Sequence, residues 1–211
     1  MTSLLEVFSR GGFIMYLILL CSLVSIAIIV EKLITLRKAR INASHFILKL
    51  KNLILRDNVD EALELCEKSE GTLPKVLKRG ISKRHMDKKD VQETIENAGR
   101  EEIYHLEKNL SLIATISGVA PLLGFLGTVW GMIRAFMEIE RLAGNVNATV
   151  LAGGIWQALL TTAFGLGVGI ISYIFYNYLL SKMQRIVFDM EVGSNEIIEL
   201  LYSEQEDEIP D

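Results

Sequence analysis

Residues 13–30 read FIMYLILLCSLVSIAIIV, eighteen consecutive positions without a charged side chain. As a helix rising 1.5 Å per residue the run covers about 27 Å, close to the roughly 30 Å hydrocarbon core of a bilayer. It is predicted to span a membrane and to stay in the chain. Only Arg10 and Glu6 precede it as charges, and Val30 is followed by Glu31, Lys32 and a basic cluster instead of a small-x-small cleavage site.

Two further runs, 110–137 and 151–180, are longer than a bilayer needs and are expected to tilt or to project from it. The three runs together hold one charged residue, Arg134, which lies near the end of its run and can snorkel. The chain has 211 residues, 22 Lys+Arg and 26 Asp+Glu, so nearly all its charge is swept into the remaining segments. Such segregation excludes a single water-soluble core. It also excludes disorder, because the polar segments keep regular apolar positions, and ten-residue alternation typical of a membrane β-barrel is missing.

Flanking charges predict orientation. Lys32, Arg37, Lys38 and Arg40 follow the first span, while Arg10 precedes it and Arg141 is the basic residue of the short connection after the second. The expected layout is an external segment 1–12, a span 13–30, a cytoplasmic helical domain 31–109, a span 110–137, an external loop 138–150, a span 151–180, and a cytoplasmic C-terminal helix with acidic tail 181–211. The fold class is therefore an all-α integral membrane protein of three transmembrane helices, the second and third extended into a helical cytoplasmic domain. Residues 31–109 carry 17 Lys+Arg against 14 Asp+Glu and residues 181–211 carry 2 against 9; neither has the patch character of a nucleic-acid binder. Cys21 and Cys66 fall on opposite sides of the redox boundary and read as free thiols.

The polar segments read as helices. Phe46, Leu50, Leu53 and Ile54 form one apolar stripe, Asp60–Glu67 a second helix before the break at Ser69-Glu70-Gly71, and Leu73, Val76, Leu77 and Ile81 a third. From Val91 through Leu106, Leu110 and Ile113 the three-four pattern continues into the second apolar run, which predicts one unbroken helix. Ile186, Met190, Gly193, Ile197 and Leu200 extend the third run as a packing seam.

Within the spans the informative residues are small or hydroxylated. Ser117, Pro121, Gly124, Thr128, Gly131 and Ala135 are spaced 4, 3, 4, 3, 4, and at 100° per residue all six stay within about 40° of one line. Ala158, Thr162, Gly165, Gly169, Ser172 and Tyr176 repeat the arrangement. Small residues let helices approach closely in lipid. One reading is packing alone; the other adds that Thr128 and Thr162 offer hydroxyls to water or a partner, with Gln157 a further polar group about 140° around the helix from Thr162.

No Asp, Glu, His or Lys lies in the three runs. A proton pathway needs a group that gains and loses a proton, and Tyr, Cys and Arg serve poorly near neutral pH. If the chain conducts protons, a second protein supplies the carboxylate. There is no phosphate-binding G-x4-GK-[ST] loop, no HExxH and no GxSxG, and His45, His85 and His105 have no ligand spacing, so no enzyme, metal or cofactor is expected.

Ala120-Pro-Leu-Leu-Gly-Phe-Leu-Gly-Thr-Val-Trp-Gly-Met-Ile133 resembles the signature of the ExbB/TolQ/MotA proton-channel family, most closely its ExbB and TolQ branch. Leu151-Ala-Gly-Gly-Ile-Trp-Gln-Ala-Leu-Leu-Thr-Thr-Ala163 is similar to the family's third-span motif, and Gly11-Gly12 and Glu31-Lys32 also fit. The resemblance implies an ExbB-like biopolymer transport protein, a subunit of a motor in the bacterial cell inner membrane driven by the proton motive force. It implies a homo-oligomer, a pentamer, around an ExbD/TolR-type subunit that brings an Asp into the pore, with a TonB/TolA-type protein carrying the output. By position Thr128 and Thr162 match pore-facing threonines, and Gln157 stands where relatives usually have Glu, which removes a titrating group from the pathway. Ile171 stands where relatives often have Pro. A stator of a gliding or flagellar-type motor and a non-conducting membrane scaffold are the alternatives.

Overall fold

A computed structural model describes residues 11–141 and 148–206. The expected external segment 1–12, the loop 138–150 and the acidic tail lie partly outside the described residues. Among the described residues the chain is helical: α1 (Gly12–Ala39), α2 (Ala43–Ile54), α3 (Val59–Lys68), α4 (Thr72–Ile81), α5 (Lys88–Glu107), α6 (Leu110–Arg141) and α7 (Ala148–Glu206). Two compact units are distinguished, residues 1–31 with 109–178 and residues 32–108 with 179–211.

The first unit holds the apolar runs. Among the described residues three helices are long and apolar enough to cross a membrane, and no more than 33% of the most apolar stretch of each is buried inside the chain. Leu122, Phe125, Trp130, Leu159, Ile170 and Ile174 remain exposed. In water such a surface would aggregate; in a bilayer it meets lipid or neighbouring chains.

The second unit has a core of its own in which Leu50, Leu77, Ile81, Val91 and Ile197 are fully enclosed. Consecutive short helices pack as α2 on α3, α3 on α4 and α4 on α5. Asn42 caps α2 by accepting from the His45 amide at 3.3 Å. The turn into α4 requires glycine: Gly71 has φ +127°, and a Cβ there would meet Ile41 and lie 3.1 Å from the Ala39 carbonyl. On α7, Ile186, Met190, Gly193 and Ile197 are buried along the expected seam, with Leu200 partly so. Gly193 lets that helix press on Ile47 and Leu73.

Burial in this core pushes the Cys66 thiol up to about 11 despite the nearby Lys78 ammonium, so it is inert at neutral pH. Tyr202 donates its hydroxyl to the Met86 carbonyl at 2.7 Å. Burial and the Asp87 and Asp90 carboxylates raise its phenol. On the surface, Arg79 and Glu101 pair at 2.5 Å, which holds the Glu101 carboxyl below its usual range.

One expectation is corrected. The pattern from Val91 to Ile113 predicts an unbroken helix, yet α5 ends at Glu107 and α6 starts at Leu110. Asn109 adopts φ +67°, a left-handed conformation that Asn tolerates, and its side chain donates to Glu31 at 3.4 Å. Lys32, 1% exposed, donates from Nζ to the His105 carbonyl at 3.3 Å, satisfying the carbonyl end of α5 where a cation also suits the helix dipole. By contrast α7 is one helix of 59 residues, on the order of 90 Å, and Ile171 leaves it without a proline break.

Candidate functional site: the glycine and threonine seam of the spans

The small residues of α6 and α7 lie against each other. An ideal Cβ on Gly124 would fall 2.9 Å from the Thr161 carbonyl and 3.1 Å from Thr162 Cα. One on Gly165 would fall 2.5 Å from the Ala120 carbonyl and 2.9 Å from Gly124 Cα. Further along, Gly131 meets Gly154 and Ala158, and Gly154 meets Ala135. The contacts at Gly124 and Gly165 are backbone-to-backbone approaches that a side chain would forbid, and in lipid close approach is what holds helices together.

Pro121 sits inside α6 without ending it. Its missing N–H frees the Ser117 carbonyl, four residues back. Gly169 fits over this place, its Cβ position 2.5 Å from Pro121 Cγ and 3.0 Å from that carbonyl. The Ser117 hydroxyl donates to the Ala114 carbonyl at 2.7 Å.

Of the three expected polar residues, Thr162 is on the seam and half-buried, its hydroxyl donating across to the Gly124 carbonyl at 3.2 Å. Thr128, one turn from Gly124, is partly accessible and donates to the Phe125 carbonyl at 2.6 Å. Gln157 stands apart from both: its Nε2 donates to the Gly11 carbonyl at 3.4 Å, tying α7 to the start of α1. Ala158, Gly165 and Gly169 are buried, as are Gly124 and Gly131, whereas Ser117 and Pro121 are only partly so.

Thr161, and Ser25 as the partner of the expected seam residue Ser172, are not singled out by the sequence. Thr161 is fully enclosed against Gly127, with its hydroxyl donating to carbonyls of its own helix, Ala158 at 2.9 Å and Gln157 at 3.2 Å. The buried Ser172 hydroxyl meets Ser25 of α1 at 2.7 Å. Thr161 follows Ala158 by three and precedes Gly165 by four, so the small-residue spacing admits it as readily as Thr162. Ser25 is marked only as a hydroxyl among aliphatic residues.

Chemically the seam offers hydroxyls and carbonyls in an apolar setting and no group that titrates near neutral pH. Among the described residues no cluster of three or more His, Cys, Asp or Glu is arranged to hold a metal.

Comparison with known proteins identifies the family. Residues 68–192 match the family described as the MotA/TolQ/ExbB proton channel family. The chain is 30% identical over 205 residues to a biopolymer transport protein, ExbB-like 1, of Synechocystis sp., covering 95% of this chain and 80% of that protein. It is 28% identical over 197 residues to an ExbB homolog of Methanothermobacter thermautotrophicus, covering 93% and 68%. Over 88 residues it is 38% identical to the Tol-Pal system protein TolQ of Haemophilus influenzae, covering 42% and 38%. With a matched region that includes the whole second span and the glycine and threonine face of the third, this chain belongs to the MotA/TolQ/ExbB proton channel family, on its ExbB/TolQ branch.

Proposed function

We propose that this chain is the housing subunit of an inner-membrane motor driven by the proton motive force, and that the proton-carrying carboxylate comes from an ExbD/TolR-type partner. The observation that carries the reading is the chemistry of the seam. The apolar runs keep Thr128 and Thr162 but no Asp, Glu, His or Lys, so the chain provides a polar lining and lacks the relay itself. Several copies, five in the family pattern, would surround the partner's helices, with the amino terminus periplasmic and residues 31–109 and 181–211 cytoplasmic. A TonB/TolA-type protein would carry the output.

In this mechanism a proton entering from the periplasmic side neutralises a partner carboxylate facing the threonines. Neutralisation removes most of the cost of holding a charge in an apolar setting and lets the inner helices turn against the ring. A proton crossing about 100 mV releases roughly 2.3 kcal/mol, so useful work takes several per stroke.

Replacing Thr162 by Val removes the hydroxyl while nearly conserving volume and leaves the glycine contacts in place. Thr162→Val is expected to assemble normally with its partner and to lower proton-dependent activity about tenfold, the worth of one hydrogen bond of roughly 1.4 kcal/mol. Thr162→Ser should restore much of it. Full activity in the Val variant would remove Thr162 from the pathway.

A further inference from the structure

We infer that Gln157 is a positioning residue: its carboxamide latches the start of α1 to α7, in a form that works at every pH. Three observations converge. Gln157 Nε2 donates to the Gly11 carbonyl at 3.4 Å across 146 residues of sequence. Gly12 holds φ +67°, a conformation that a side chain would strain. A Cβ on Gly12 would also run into that same Nε2. Gly11 is buried, with a Cβ position 2.8 Å from Met15 Cβ, so the Gly11-Gly12 pair leaves room for this amide and for little else.

The latch depends on which atom donates. A backbone carbonyl accepts, so its partner has to carry a hydrogen. The amide always does. A carboxyl at the same place holds the carbonyl only while protonated, and once ionised sets acceptor against acceptor. Gln157 thus fixes permanently a contact that a glutamate would make proton-dependent.

Among the described residues, few charges lie on the elements packed against it. Residues 151–177 of α7 and residues 11–30, which lead into and form the first part of α1, contain no Asp, Glu, Lys or Arg. The titratable groups on those stretches are Tyr16, Cys21, Tyr173 and Tyr176, and Glu6 and Arg10 precede α1 in sequence. On α6, beyond Gly131, stand Arg134, Glu138, Glu140 and Arg141, of which Glu138 and Arg141 pair at 2.7 Å.

The test is hydrogen exchange of residues 12–20 in the full chain reconstituted in lipid nanodiscs, read as protection factors so that intrinsic pH effects cancel. Gln157→Ala is expected to lower protection about fivefold, the worth of one ordinary hydrogen bond. Gly12→Ala should do at least as much, and the double variant should add little to the larger single effect, because both changes open one contact. Gln157→Glu should match the parent near pH 5 and the alanine variant near pH 9, across the range in which a part-buried carboxyl ionises, while the parent stays flat. Protection within twofold of the parent in Gln157→Ala would overturn the latch. So would full additivity with Gly12→Ala, or a glutamate variant that is flat with pH. The readout does not depend on conduction, so it fails or stands apart from the motor reading.

Discussion

Gly165→Leu is expected to prevent the membrane helices from packing. The Cβ it introduces would fall 2.5 Å from the Ala120 carbonyl and 2.9 and 3.0 Å from Gly124 Cα and N. All three are backbone atoms, so no rotamer change relieves the clash, and the branched remainder of the side chain has to fit behind it. The helices can only move apart, which also breaks the bond from Thr162 to the Gly124 carbonyl. Overpacking a well-filled core costs about 1–3 kcal/mol when flexible side chains can yield; against backbone the upper end is a minimum, roughly 3 kcal/mol or more. The measurement is the yield of monodisperse protein in mild detergent and its thermal midpoint. Gly153→Ala and Gly167→Ala are the controls, since a Cβ at either meets nothing within 4 Å. Both should keep the parent's stability or gain up to about 1 kcal/mol from better helix propensity. Parent-like yield and midpoint in Gly165→Leu would contradict the seam.

The second large effect is expected in the other unit. Leu77 on α4 is 0% exposed within the core shared by α2, α3, α4, α5 and the last turns of α7. Leu77→Ala removes three carbons and leaves a cavity bounded by helices that are covalently short but mutually packed. Such truncations cost about 2–5 kcal/mol. Pulse proteolysis of the full chain in detergent should then show earlier cleavage within residues 41–108. Leu48→Ala, at a side chain 61% exposed, should stay within about 0.5 kcal/mol of the parent. Equal behaviour of the two variants would mean that this core does not hold the unit together.

Much of this architecture can be read from residue spacing. The uncharged run 13–30 lies within the helix Gly12–Ala39, and the repeat of Ile186, Met190 and Gly193 continues the third span as one helix. The break at Lys108-Asn109 is hidden for a physical reason. Leu106 and Leu110 are both buried on either side of it, so the apolar rhythm passes through unchanged, and no Gly or Pro marks a turn that Asn makes by itself.

Within the candidate site the legible part is the line of small residues, because close approach demands them at helical spacing. Which hydroxyl is enclosed is not legible. Thr161 and Thr162 are 100° apart on one helix, and only the position of Gly127 opposite decides that Thr161 is sealed in while Thr162 reaches across the seam. Gln157 looks equally suited to a pathway or a contact until Gly11 is found within reach of its amide.

This chain is proposed to house a proton path without owning its titrating group. The deciding measurement is proton flux into pH-sensitive dye-loaded liposomes under an imposed potential, with this chain alone, with an ExbD/TolR-type partner, and with that partner carrying Asn in place of its membrane Asp. Tight vesicles are expected in the first and third cases and potential-driven flux in the second. Flux from this chain alone, or undiminished flux with the Asn partner, would contradict it.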